Sequence, residues 1–145
     1  GINMYTAMDL SKHIVSKCIH DGCPISNLQL QKILYYIQKD FLDRGETAFL
    51  DDIEAWQFGP VVPNVYYHYC GYGAMPIFMA TSEGDGNISK CDAHHIDSIV
   101  ESKRILNPWD MVEETHKPGG AWDKVYRNGL GNHCVIPVEL IRTAG

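Results

Sequence analysis

Residues 26–63 read SNLQLQKILYYIQKDFLDRGETAFLDDIEAWQFGPVVP. Their spacing predicts one long helix followed by a short aromatic segment that turns sharply at Gly59-Pro60. Ser26 can accept a hydrogen bond from a free N–H of the first turn while Gln29 reaches back, which makes a capping box. Gly45 supplies the stop. At about 100° per residue, Leu30, Ile33, Leu34, Ile37 and Phe41 fall in one arc roughly 100° wide, the stripe of a core-facing helix. Leu28, Tyr35 and Leu42 form a second stripe nearly opposite, so the helix is expected to be covered on two faces.

Gln31 and Gln38, seven residues apart, fall between the stripes. Either both amides are buried and paired, or they lie along an exposed seam. In the buried case Gln31 anchors the helix to the 56–60 arm. Tyr36 stands among Gln29, Lys32, Lys39, Asp40 and Asp43 on the polar face, so it is either covered by another segment or offered to a partner. The partner reading takes the binding surface to be Tyr36, Lys32 and the adjoining Phe58, Gly59, Pro60, Val61 and Val62, a proline-braced loop with little ordering cost on binding. Trp56, Phe58, Tyr66, Tyr67, Tyr69 and Tyr72 make the densest aromatic zone, which serves as core rim or as a set of interface anchors.

Outward from this unit, Thr6 with Asp9 opens a helix over residues 7–20, and Asp21-Gly22-Cys23-Pro24 turns into the central helix. Residues 53–58 read as a short strand or extended arm, with Ile53 and Ala55 alternating with Glu54, Trp56 and Phe58. Asn64 is placed to cap a short helix through Tyr69. Residues 75–90 combine Ile77-Phe78-Met79 with a turn at 83–87 and read as a strand or hairpin. Asp92 is the expected cap of a helix over 93–106, and Asn107-Pro108 starts another that ends at Thr115-His116, before Lys117-Pro118-Gly119-Gly120. A short helix is expected over 122–128. In the tail, Pro137 either opens a last helix or lies on an edge strand. The fold class is therefore mainly α: a compact bundle of five to six helices with a small β-hairpin or extended arm. We expect a single domain over residues 4–145, with 1–3 a remnant ahead of Met4.

With 12 Lys and Arg against 18 Asp and Glu, the formal charge is −6. The sequence shows no basic cluster of the kind a phosphate backbone requires, so nucleic acid is not expected as a partner. Five cysteines in no regular framework suit free thiols in a cytoplasm better than a disulfide scaffold. No signal sequence precedes them, and no apolar run reaches the roughly 20 residues of a membrane span. The protein is expected to be soluble and cytoplasmic.

Metal and catalytic sets are poorly formed. Cys18, His20 and Cys23, or His94, Asp97 and Glu101, lack the paired knuckles of a zinc site, so neither metal nor cofactor is expected. Nucleophilic catalysis could draw only on Cys70 with His68, or on His116 with a thiol or acidic neighbour, and no nucleophile motif surrounds them. His116 at a helix end can instead donate to the last carbonyls and complement the dipole.

Leu30-Gln31-Lys32-Ile33-Leu34-Tyr35-Tyr36, then Ile53-Glu54-Ala55-Trp56 with Gly59-Pro60-Val61, and later Thr115-His116 and Trp122, resemble the Panacea domain family of SocA-like antitoxins and phage-associated GepA-type proteins. The likeness covers residues 5–141, with Ala121-Trp122 in place of the family's Pro-Trp. It implies structural roles for the motif residues Gln31, Trp56, Thr115, His116 and Trp122. It also implies a non-enzymatic antitoxin that binds a toxin encoded nearby, with a branch that delivers its toxin to the ClpXP protease. The alternatives are a small hydrolase-type enzyme using His116 and a prophage regulatory protein.

Overall fold

The second helix is the axis of the molecule. In a computed structural model, which describes residues 5–80 and 88–145, α2 (Asn27–Asp43) is contacted by five other helices and by one strand. Its boundaries follow from local chemistry. The Ser26 side chain accepts from the Gln29 N–H, the Gln29 side chain accepts from the Ser26 N–H, and Gly45 leaves the helix at φ +77°. Leu30, Ile33, Leu34, Ile37 and Phe41 are all buried as the stripe requires, each contributing about 1.5–3 kcal/mol before ordering costs. Tyr35 and Leu42, on the other side, are buried as well.

Around α2 stand α1 (Ala7–His20), α3 (Pro63–Tyr69), α4 (Lys90–Arg104), α5 (Pro108–Thr115), α6 (Ala121–Tyr126) and α7 (Val138–Ala144). Seven α-helices among the described residues exceed the expected five to six because the tail and the segment after Gly120 each form a separate short helix. α4 is fastened to α1 and α2 by His13 with Asp97 at 2.7 Å, Lys17 with Glu101 at 3.4 Å, and His95 with Asp40. These pairings account for Asp97 and Glu101, and the described residues hold no cluster of three metal-ligating side chains.

The arm is a hairpin. Strands β1 (Glu54–Trp56) and β2 (Gly59–Val61) pair antiparallel with Glu54 opposite Val61 and Trp56 opposite Gly59, joined through Gln57 and Phe58. On the other side of β1 lies β3 (Cys134–Val135), giving the order β2-β1-β3. Both readings of Pro137 therefore hold in part: the chain before it pairs as an edge strand, and it caps α7.

Several boundaries differ from the sequence reading. Ser89, not Asp92, caps α4: its hydroxyl accepts from the Asp92 N–H, and Asp92 instead receives the Tyr5 hydroxyl at 2.6 Å. α3 starts one residue before Asn64, because Pro63 holds the first helical position with its fixed φ. Residues 75–80 form no named strand. Pro76 makes an isolated bridge with Ser26, Ile77 is buried, and Phe78 and Met79 are exposed. The expected turn at 83–87 and the remnant at 1–3 lie outside the described residues. All five cysteines are free thiols, and no described helix is long and apolar enough to cross a membrane.

Candidate functional site

Three separated stretches meet where α2 passes under the hairpin. Gly59 has φ +113°, a backbone state that favours glycine, and a Cβ built on it would lie 2.8 Å from Lys32 Cε, 2.9 Å from Lys32 Nζ and 2.9 Å from Thr115 Oγ1. A glycine is needed there on both counts. Its absent side chain lets Lys32 run beneath the hairpin, where Nζ donates to the Pro60 carbonyl at 3.1 Å. One residue earlier on α2, the Gln31 Oε1 accepts from the Val62 N–H at 2.9 Å. The Gln31 Nε2 donates to Asn27 Oδ1 at 3.0 Å, and Asn27 Nδ2 donates to the Tyr66 carbonyl at 3.0 Å. This chain of amides ties α2 to the end of β2 and to α3. Gln38 does the same one face round, accepting from the Ala48 N–H and donating to the Phe49 carbonyl.

The third stretch closes over the other side of the hairpin. Trp122 Nε1 donates to the Trp56 carbonyl at 2.8 Å, the His116 ring stacks on Trp122 at 3.6 Å with planes 5° apart, and Tyr126 stacks on the far face of the indole system at 4.5 Å. The Thr115 hydroxyl donates to the Val112 carbonyl, closing α5. His116 Nε2 is buried with no partner among the described residues. Burial and the neighbouring Lys32 both lower its pKa, which keeps the ring neutral and suited to stacking. The ring thus meets Trp122 rather than the last carbonyls of its helix.

These placements correct two expectations. Lys32 is not on an open polar face: it is 0% exposed, and its burial lowers its pKa to about 7. Tyr36 is half-buried where α4 and α5 come together, with Lys103 Nζ 4.1 Å above its ring and its hydroxyl enclosed. Gly59, Pro60, Val61 and Val62 are buried too, so of the seven residues in the expected partner surface only Phe58 is open, at 49%.

Phe58 has a companion that the sequence reading did not single out. Trp109, on the first turn of α5, packs edge-on against it with centroids 5.5 Å apart and is 57% exposed. The two rings border a groove of about 450 Å³, walled by Leu28, Trp56, Val61 and Tyr66 and floored by Gln31 and Lys32. His133, also unanticipated, stacks on Trp56 at 4.2 Å and has positive φ; Glu54 Oε1 fixes the indole by accepting from its Nε1. The signal for Trp109 was available: Met111 and Val112 are the buried residues of α5, and Trp109 is an aromatic off that apolar face. The groove is thus a rigid aromatic surface built on the motif residues, with polar amides from Asn27, Gln57 and Asn132 at its edges.

Such a surface, carried by a mainly helical domain whose motif residues lock a hairpin onto a central helix, defines a recognition domain rather than a reaction centre. Comparison with known proteins agrees. A family described as "Antitoxin SocA-like, Panacea domain" matches residues 30–123. Antitoxin SocA of Caulobacter vibrioides (strain NA1000 / CB15N) is 33% identical over 128 residues, which covers 81% of this chain and 68% of that protein. No solved structure matches. The chain belongs to the SocA-like Panacea domain family of antitoxins.

Proposed function

We propose that this protein is the protein-binding module of a toxin–antitoxin pair and neutralises a cognate toxin by direct contact. The observation that carries this reading is the Phe58–Trp109 pair: two large aromatic side chains left half-exposed side by side on a braced groove. Aromatic anchors with few rotamers on a preformed scaffold lose little entropy on binding and concentrate binding energy. An acidic chain, at −6, steers toward a basic partner surface. Family membership supplies the class of partner. The enzyme alternative finds little support: the His116 ring is committed to Trp122, and no side-chain hydrogen bond links it to a thiol or carboxylate among the described residues. Delivery of the toxin to ClpXP belongs to the same reading as a second role of the complex, supported by resemblance alone.

The test is coexpression with the toxic product of a neighbouring reading frame. Wild-type chain restores growth and co-purifies with the toxin, whereas Phe58→Ala with Trp109→Ala folds normally and does neither. Full rescue by the double variant would remove the groove from the account. Loss of toxin on coexpression only when the ClpXP protease is present would establish the delivery role.

A further inference from the structure

On the opposite side of α2 from the aromatic groove, between α4, α5 and the end of α7, lies a cavity of about 250 Å³ that the reading above does not use. Three ammonium groups reach it from three elements: Lys39 from α2, Lys103 from α4 and Lys117 from the loop after α5. In a chain with an excess of six acidic residues, such a convergence is out of keeping with the average surface. Lys39 is spoken for by Asp43 at 2.8 Å and the Arg142 carbonyl at 2.9 Å. Lys103 and Lys117 have no carboxylate in ion-pair range among the described residues; Lys103 sits over the Tyr36 ring, and Lys117 donates to the Gly145 carbonyl at 3.1 Å. Glu114 is the one acidic residue at the wall, which leaves the lining net positive.

A second observation is independent of charge. The Tyr36 hydroxyl is buried at this cavity and has no hydrogen-bond partner. Burial, with the nearby Glu114 carboxylate, raises its pKa, so it keeps its proton and is a donor without an acceptor. A buried, unsatisfied hydroxyl calls for a bound group to receive it.

We infer that this cavity binds a small phosphate-bearing anion, held by Lys103 and Lys117 and by a hydrogen bond from the Tyr36 hydroxyl. Ammonium groups approaching from separate directions suit a tetrahedral oxyanion as point charges, whereas a planar carboxylate is better matched by a guanidinium fork. The volume admits inorganic phosphate with its water, or the phosphate end of a monoester.

The probes are inorganic phosphate and phenyl phosphate, titrated into the full chain at constant ionic strength in chloride and followed by calorimetry and thermal melting. Saturable binding at millimolar concentration or tighter is expected, with a raised melting temperature. Lys103→Gln and Lys117→Gln should each weaken it roughly tenfold, and Tyr36→Phe several-fold, on the scale of a hydrogen bond to a charged group. Tighter phenyl phosphate would identify the ligand as a monoester, and equal affinity as free phosphate. Absence of saturation at about 10 mM, weaker than the millimolar scale, would overturn the inference. So would binding that all three variants retain, which would mean an adventitious ion only. If phosphate is ignored but Lys103→Gln weakens toxin binding, the lysines serve an acidic side chain of the partner and the inference fails.

Discussion

Lys32 offers a test in which sign and size both come from the structure. Its ammonium would lie wholly inside the protein with one neutral acceptor, the Pro60 carbonyl, and burial takes its pKa from 10.5 to about 7. The folded state therefore resists protonation that the unfolded chain accepts freely. Between about pH 7 and 10.5 the unfolded chain binds more protons, so stability rises with pH by about 1.4 kcal/mol per pH unit across that window. Below it the loss is complete and constant, on the order of 4–5 kcal/mol. Lys32→Met keeps the length of the side chain and removes the amine, at the cost of leaving the Pro60 carbonyl without its donor, about 1–3 kcal/mol. At pH 7 the variant should then be more stable than wild type by on the order of 2–3 kcal/mol, and the advantage should shrink steadily and vanish as pH approaches 9–10. Urea unfolding of both proteins at several pH values from 7 to 9.5 measures this directly, and other titrating groups cancel in the difference. A difference that does not change with pH would show that Lys32 keeps an ordinary pKa in the folded state, and the account of the buried node would be wrong. Such a lysine is a cost to stability, which is what a residue kept for its site rather than for the fold should be.

Further outcomes follow from the same node. Gly59→Ala places a methyl group within 2.9 Å of Lys32 and Thr115 at a positive φ and should cost about 3 kcal/mol or more, read as a drop in melting temperature; a loss under about 1 kcal/mol would mean that the hairpin is not clamped there. Gln31→Leu strands the Val62 N–H and the Asn27 side chain and should cost about 1–3 kcal/mol, whereas an unchanged melting temperature would deny the amide chain any part in stability.

What could be read in advance depended on whether the deciding interaction was local. The Thr6 and Ser26 caps, the apolar stripe of α2 and the Asn107-Pro108 start each depend on residues within a turn of one another, and all stand as read. Asp92 was a near miss of the same kind, since Ser89 three residues earlier was the better cap. Gln31 and Gln38 were legible as buried amides because they fall between two apolar stripes. Lys32 and Tyr36 were not, for a single reason: a helical wheel says which side of α2 is polar but not that α4, α5 and the hairpin close over that side. The positive φ of Gly59 and the contact it permits depend on a lysine 27 positions earlier and a threonine 56 positions later. Trp109 was overlooked because Phe58, its partner, lies in another motif, and the ridge exists only once the chain is folded.

The central claim is that the exposed Phe58–Trp109 ridge, and not the buried motif beneath it, contacts the toxin. It is tested most directly by measuring the dissociation constant for the purified toxin and the melting temperature on one variant, Trp109→Ala. The account predicts an unchanged melting temperature and binding weakened roughly thirtyfold, as for an aromatic hot spot worth about 2 kcal/mol. Wild-type affinity in a normally folded Trp109→Ala protein would contradict it.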